Sequence, residues 1–588
     1  MIRRLLPLLL LLAAIIVAPL VLPPFYVTLL NYVGLYSLVA LGLVLLTGVS
    51  GLTSFGQAAF VGIGAYATAV LSSSLGLSPW LGLLAGLAIT LLIATVLGLL
   101  TLRLAGHYLP IGTLAWGLAL YYLFGNLPGL GGFGGIHDLP HIEVFGWRID
   151  TAADFSLLIG VLLVATLWLL GNLLHSRQGR AIRTLKEASG MAEAMGVNTT
   201  SSKLVVFLIA ALLASLSGWL YAHMQRAVNP TPFSVVMGIE YLFMIVLGGT
   251  ASLWGALLGA ALLTLIKQVL QDVLPQIFGQ TDNVEMIFFG VLIILVLQYA
   301  RDGLLPLLSK RLPAPRPPRL SLDDAEPLPR REPPIAGQPL LSAKGLVKRF
   351  GGLVANNDMS LSVNGGEVTA LIGPNGAGKS TLFNLLSGVL PPTAGEIEFR
   401  GQRIDGLSPR AIAQLGVSRT FQHVRLLPTM SVLENVALGA HRRGRAGLLR
   451  AMLHLERHEE TRLLAEAARQ VERVGLGEFM HTPAGSLALG QQRIVEIARA
   501  LCSDPLLLLL DEPAAGLRYG EKQALASLLD QLRAEGLGVL LVEHDMDFVM
   551  NLADRIVVME FGQRLATGTP TEIQDNPAVL AAYLGGVE

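Results

Sequence analysis

The chain has a single cysteine, Cys502, among its 588 residues. That excludes an intramolecular disulfide and offers no cysteine metal cluster, which leaves a small apolar core residue as the reading. Charge is also scarce, at 14% of residues, and the formal net charge is zero, so no basic excess points to nucleic acid. The scarcity is uneven. Between Leu5 and Leu297 charged residues are few, whereas from Arg311 onward they occur at the density of an ordinary soluble domain. Hydrophobic residues fill the gap, making up 53% of the chain, with a mean hydropathy of +0.59. The asymmetry reads as a membrane half followed by a soluble half, in a chain too long for one ordinary domain.

A membrane helix needs about 20 mainly apolar residues, because its backbone must satisfy its own hydrogen bonds in lipid. Ten stretches qualify as candidates: 5–22, 27–49, 57–75, 80–102, 109–125, 155–174, 204–224, 236–249, 254–273 and 283–299. Of these, 109–125 and 236–249 are short enough to be re-entrant. The first stretch follows Arg3 and Arg4 like a secretory signal, but it ends in Val21-Leu22-Pro23-Pro24 rather than in small residues. It reads as an uncleaved first helix. Basic residues cluster at Arg3 and Arg4, at Arg177, Arg180, Arg183, Lys186 and Lys203, and at Arg301, Lys310 and Arg311. The positive-inside rule places all three clusters in the cytoplasm, which ten spans satisfy. The loop from Gly125 to Thr151 then faces outward as a docking surface for an external partner.

Residues 313–339 are dense in proline, which removes backbone donors and favours extended chain. The expected division is therefore a permease over 1–301, a linker over 302–340 and a soluble domain over 341–588. In the soluble domain, Glu367 to Ile372 reads as a strand and Thr381 to Leu390 as a helix, with Gly373-Pro374-Asn375-Gly376-Ala377-Gly378-Lys379-Ser380 between them. This is the phosphate-loop pattern, in which glycines let amides turn toward phosphates, Lys379 reaches the β/γ-phosphates and Ser380 ligates Mg²⁺. The apolar runs Leu506 to Leu510 and Val539 to Val542 read as buried parallel strands, with a long helical stretch, 444–474, between the motifs. The first run ends in Asp511-Glu512. Asp511 is expected to hold Mg²⁺, and Glu512 to orient and polarise the attacking water.

With these features in place, the region from about 341 onward resembles the ATP-binding-cassette (ABC) ATPases. The resemblance implies nucleotide binding by Phe350, Gly373, Asn375, Gly376, Gly378, Lys379, Ser380 and Thr381, with Phe350 stacking on adenine. It assigns Gln422, in Arg419-Thr420-Phe421-Gln422, to Mg²⁺ sensing and permease contact. Leu487, Ala488, Leu489, Gly490 and Gln491 match the signature motif that caps a partner's γ-phosphate. Ala515-Gly516-Leu517 matches the dimer-contact loop, and His544 the switch histidine. Two positions depart from the family pattern: Ala488 replaces the signature serine, and Arg518 stands where an acid or amide is common.

The membrane half carries Gly51-Leu52-Thr53-Ser54-Phe55-Gly56-Gln57 through Tyr66, whose small residues allow close helix approach. It also carries Leu102-Arg103-Leu104-Ala105-Gly106-His107-Tyr108, Gly238-Ile239-Glu240-Tyr241-Leu242 and Val246-Leu247-Gly248-Gly249. These stretches resemble the permease subunits of branched-chain amino acid importers. Leu489-Gly490-Gln491-Gln492-Arg493, Asp511 to Leu517 and the tail Asn576 to Gly585 are similar to that system's ATP-binding subunit. The implied fold is a polytopic α-helical membrane domain plus an α/β P-loop ABC ATPase domain with a helical subdomain. The resemblance also places a coupling helix in the cytoplasmic loop 175–203, with Glu187, Ala188 and Gly196 as its contacts near Gln422. Arg103, His107 and Glu240 are ionisable groups near predicted span ends, either functional or snorkelling.

The expected function is an ATP-driven importer subunit for branched-chain or related amino acids, in the inner or plasma membrane, using ATP and Mg²⁺. Each ATP site needs a partner's signature motif, so a second permease and ATPase are required, as a homodimer or a heteromer, with an external solute-binding protein. Urea or another small polar solute is the alternative cargo. An exporter and a membrane-anchored, non-transporting ATPase regulator are the rival classes.

Overall fold

The computed structural model describes residues 2–102, 108–278, 284–300, 302–309 and 325–584. Arg103, His107, Arg301, Lys310 and Arg311 lie outside the described residues, as does the proline-rich stretch 312–324. The chain forms two units: Met1–His175 with Thr200–Arg316, and Ser176–Thr199 with Pro317–Glu588.

The first unit is helical: α1 Ile2–Val21, α2 Pro24–Leu43, α3 Gln57–Ala69, α4 Pro79–Thr101, α5 Tyr108–Asn126 and α6 Ala152–Leu174. The chain then passes through α7 Arg177–Glu187 and α8 Ser189–Ala194, which belong to the second unit, and returns in α9 Thr199–Gln225. It continues with α10 Val235–Gly248, α11 Leu253–Phe278, α12 Val284–Tyr299 and α13 Leu304–Ser309. Helix occupies most of each of the ten expected spans, and among the described residues six helices are long and apolar enough to cross a membrane: Pro24–Val49, Pro79–Thr101, Tyr108–Asn126, Ala152–Leu174, Thr199–Gln225 and Leu253–Leu274. The segment expected at 109–125 is thus full length, while Val235–Gly248 stays short.

The two small-residue stretches pack as the sequence implies. A Cβ on Gly64 of α3 would meet the Ser215 carbonyl oxygen of α9 at 2.1 Å, so these backbones are closer than any other residue permits. Gly238 of α10 lies on the Phe55 carbonyl, which a Cβ would approach to 2.4 Å. The two motifs are therefore neighbours. The expected outer loop forms β1 Ile136–His137, β2 Ile142–Val144 and β3 Trp147–Ile149; β2 pairs with β3, and β1 with β4 Ala227–Val228.

The second unit opens with β5 Pro339–Phe350 and β6 Leu353–Asn364, then β7 Val368–Ile372, α14 Lys379–Leu386, β8 Ala394–Phe399 and β9 Gln402–Arg403. Next come α15 Pro409–Leu415, β10 Val417–Arg419, α16 Val432–Ala437, α17 Leu448–Met452, α18 Arg457–Arg473 and α19 Leu489–Cys502. The last part is β11 Leu507–Asp511, α20 Tyr519–Ala534, β12 Gly538–Val542, α21 Met546–Leu552, β13 Arg555–Glu560, β14 Gln563–Gly568, α22 Pro570–Gln574 and α23 Pro577–Leu584. The main sheet has the order β10-β11-β12-β7-β13-β14, all parallel except the edge strand β14. Residues of β11 alternate between its faces: Leu507 and Leu509 enter one core with Phe383 and Val557, while Leu508 and Leu510 enter the other with Leu529 and Val549. Burial on both faces is why the strand reads as an unbroken leucine run.

Two expectations change. The stretch 444–474 is two helices, α17 and α18, separated at His454, whose φ is +59°. The linker is also shorter than 302–340. Leu304–Ser309 is helical, and 325–335 is strapped onto the ATPase. Leu328 is buried in the helical subdomain with Val436, Leu463 and Cys502. The Arg331 amide donates to Asp504 Oδ2 at 2.6 Å, and Arg462 and Arg443 donate to the Pro327 and Pro329 carbonyls. Proline density hides this anchor because a single leucine and one arginine carry it. Cys502 is a core residue, as expected, and burial pushes its thiol up to about 12.

Candidate functional site

β7 delivers the phosphate loop at the carboxyl end of the sheet, and α14 begins at its last residues, so the helix's free amides and positive end face the loop. Gly378 sits at φ +98°, where a Cβ would also strike the Ala355 carbonyl at 2.4 Å, so this turn needs glycine. Lys379 is buried and donates to the Gly373 and Pro374 carbonyls at 2.7 and 3.0 Å, which holds its ammonium over the loop. Burial lowers its pKa, opposed by Glu512 and Asp511. Ser380 is exposed at the mouth of the loop, beside Thr381.

Asp511 ends β11, buried at 4% exposure. One carboxylate oxygen meets Arg419 at 3.3 Å, while Oδ1 has no hydrogen-bond partner among the described residues. Burial raises its pKa, opposed by Arg419. A buried carboxylate oxygen left unpaired fits a hard divalent cation that takes oxygen ligands. Ser380, Asp511 and Gln422 are the residues that the sequence leads one to expect around Mg²⁺.

Glu512 follows with φ +50°, an unusual conformation for a non-glycine residue. Its Oε1 accepts from Gln422 Nε2 at 3.0 Å and lies 3.2 Å from His544 Nε2. Three residues separated widely in sequence thus meet at one carboxylate oxygen. Such a cluster can hold a water against a phosphoryl group and receive its proton.

The sequence reading missed the groups that fix these side chains. Arg419 bridges Asp511, Asn384 and Ser387. Arg493 donates to the Glu512 carbonyl at 2.8 Å. Buried Glu543 accepts from the Ala514 and His544 amides, and so orients both flanks of Glu512. A charged side chain inside an otherwise buried strand end was the available signal.

Phe350 ends β5, 45% exposed, with Lys348 Nζ at 5.2 Å from its ring centroid, an accessible face for a planar base. The signature residues form the start of α19: Ala488 and Leu489 are exposed, Leu487 and Gly490 are buried, and Gln491 caps the helix by accepting from the Ala488 amide at 3.2 Å. Arg518 is exposed, and its amide is capped by Glu521.

The residues expected to couple the domains, Glu187, Ala188 and Gly196, belong to the same unit. Ala188 is buried with Met191, Met195, Leu427, Met430 and Leu438, with Phe421, the neighbour of Gln422, against the cluster. Gly196, at φ +83°, abuts Arg442. Glu187, in contrast, is exposed. The polar grip comes from α7 instead. Arg177 donates to the His441 and Ala446 carbonyls, Arg180 pairs with Glu460, and Arg183 lies 3.7 Å from Glu434. Burial, with Arg177, Arg180 and other arginines nearby, lowers the pKa of His441 to about 3.

Comparisons with known proteins agree with this arrangement. Residues 25–297 match the branched-chain amino acid transport system permease component, 356–515 the ABC transporter ATPase family, and 563–588 the branched-chain amino acid ATP-binding cassette transporter family. The fold and site therefore define an ABC transporter with its permease and ATPase in one chain, a multi-pass membrane protein with a cytoplasmic ATPase that couples ATP hydrolysis to transport. The high-affinity branched-chain amino acid transport ATP-binding protein LivG of Escherichia coli is 47% identical over 251 residues, 42% of this chain and 98% of that protein. BraF of Pseudomonas aeruginosa, described in the same words, is 47% identical over 251 residues with the same coverage. A solved nucleotide-free ATP-binding cassette from an ABC transporter is 33% identical and covers 42% of this chain and 99% of its own, with a TM-score of 0.38. The chain belongs to the branched-chain amino acid transport family of ABC transporters.

Proposed function

We propose that the chain imports branched-chain amino acids, as half of a complex completed by a second permease and ATPase and fed by an external solute-binding protein. The observation that carries the reading is the pairing, in one chain, of a branched-chain amino acid permease region with an ATPase whose Glu512, Gln422 and His544 converge. Ser380, Asp511 and Gln422 would hold Mg²⁺, which when bound neutralises phosphate charge. Lys379 and the loop amides bind and orient the phosphates. Glu512 holds the attacking water through its carboxylate and takes its proton, while His544 and Gln422 keep that carboxylate aligned.

The exposed start of α19 suits a signature motif that acts on a partner's nucleotide. The grip of α7 and α8 on the ATPase supports a coupling role, because these helices continue in sequence into α6 and α9. The hairpin β2–β3 displays Phe145 and Trp147, at 108% and 48% exposure, which suits docking of an external protein.

Reconstitution in proteoliposomes tests this reading. Leucine uptake that requires ATP and the solute-binding protein, and is lost in Glu512→Gln, is the expected result. Uptake of urea without leucine, efflux without a binding protein, or ATP hydrolysis with no transport would each replace it.

A further inference from the structure

Glu240 is the only charged residue of α10, and Lys267 the only basic residue of α11. Both lie within their apolar helices rather than at the ends, where charge is costly and marks function. They face each other: Lys267 Nζ donates to both Glu240 carboxylate oxygens, at 2.7 and 2.8 Å. The side chains are 31% and 14% exposed, so the pair is reachable. About one helical turn from the pair, an apolar crevice between α10, α11 and α12 is lined by Phe243, Val246, Leu247, Leu263, Leu292 and Val296. Tyr241, beside Glu240, is buried and packs on Tyr36 of α2, with ring centroids 5.8 Å apart, which fixes the start of this wall.

We propose that Glu240 and Lys267 are the cargo-recognition pair of the permease, opening to take a zwitterionic amino acid whose apolar side chain enters the crevice. The inference rests on the import reading and names the residues that recognise its substrate. A ligand carrying one ammonium and one carboxylate replaces a single ion pair by two, with no net charge added: its ammonium meets Glu240 and its carboxylate meets Lys267. A simple anion or cation leaves one partner uncompensated, and an uncharged solute such as urea brings no charge to compensate either. The aliphatic crevice selects a branched or other apolar side chain over a polar one.

The test uses the full chain with its partner subunits and leucine-saturated binding protein in proteoliposomes, reading leucine moved per ATP hydrolysed alongside thermal stability. The double variant Glu240→Gln/Lys267→Met removes both charges without stranding either. It is expected to keep wild-type stability and ATP hydrolysis while moving about 10- to 100-fold less leucine per ATP, because the two charge-assisted contacts the ligand makes are partly offset by the ion pair it breaks. Wild-type leucine transport per ATP by this variant would overturn the proposal and make the pair a helix clamp. Should the double variant not fold, the charge exchange Glu240→Lys/Lys267→Glu keeps an ion pair. Full leucine transport by the exchange variant would overturn the proposal, and a fall of the same order would support it. Failure of the wild type itself to move leucine would reject the import reading and this inference together, a result distinct from failure in the variants alone.

Discussion

The two units handle polar groups in opposite ways. In the ATPase unit, charges are many and meet at strand ends: Asp511 on Arg419, Glu512 on Gln422 and His544, Glu543 on two backbone amides. In the membrane unit, charges are few, glycines bring backbones into contact, and one ion pair joins α10 to α11. The difference teaches where function is written. A site at the carboxyl end of a parallel sheet collects residues from successive loops, so it appears in sequence as ordered motifs. A site within a helical bundle collects one residue per helix, and no local pattern marks it.

The comparison is tested most severely at Glu512. Replacing it by glutamine removes the proton acceptor but keeps the shape, and hydrolysis is expected to fall by about 10²- to 10⁴-fold while ATP binding persists. Turnover and nucleotide-binding assays would separate the two effects, and retained hydrolysis would break the assignment of the site.

Arg180→Met strands Glu460 in a half-buried setting. A loss of about 3–5 kcal/mol is expected for breaking such a pair. If α7 transmits force, transport per ATP falls in this variant, and double replacement with Glu460→Gln restores stability but not coupling. Glu187→Gln, at an exposed position, should change neither quantity.

Gly64→Val asks whether the membrane unit depends on backbone contact. The added atoms meet the Ser215 carbonyl, and destabilisation of about 1–3 kcal/mol or more is expected, read as lost yield of folded protein. An unaffected variant would remove the contrast between the units.

A gentler probe is acid. His441 has its pKa lowered to about 3, against an ordinary value of 6.5, so the unfolded chain binds the proton first. Its contribution to stability is complete above pH 6.5 and is lost as pH falls from there toward 3. Between about pH 7.5 and 5.5 the loss is roughly 1.4 kcal/mol. Thermal melts across that range should show less acid sensitivity in His441→Asn. The smallest effect is expected for Ala488→Ser, which adds one hydroxyl to an exposed helix start and should change hydrolysis by only a few-fold.

The family and fold of the motor were legible in sequence. The glycines of its phosphate loop, the carboxylates after a leucine run and the order of the remaining motifs each reflect a local backbone requirement. The strap at Leu328 and Arg331 was not legible, because proline density masks two anchoring side chains. Nor was the break at His454, where local backbone geometry interrupts an otherwise helical pattern. In the loop expected to couple the two domains, Glu187 is exposed, while Arg177 and Arg180, whose charge membrane orientation alone would explain, hold the ATPase.

Taken by itself, the sequence determined that one chain holds a permease and a motor, and the order of the motifs expected to handle nucleotide, since these follow from periodicity and from loops whose residues are adjacent. Only the tertiary structure decided that Gln422 and His544 share one oxygen of Glu512, that buried arginines fix the coupling helices, and that Glu240 faces Lys267. Those pairings join residues tens to hundreds of positions apart, and nothing in the local chain fixes which charge will find which partner until the helices and strands pack.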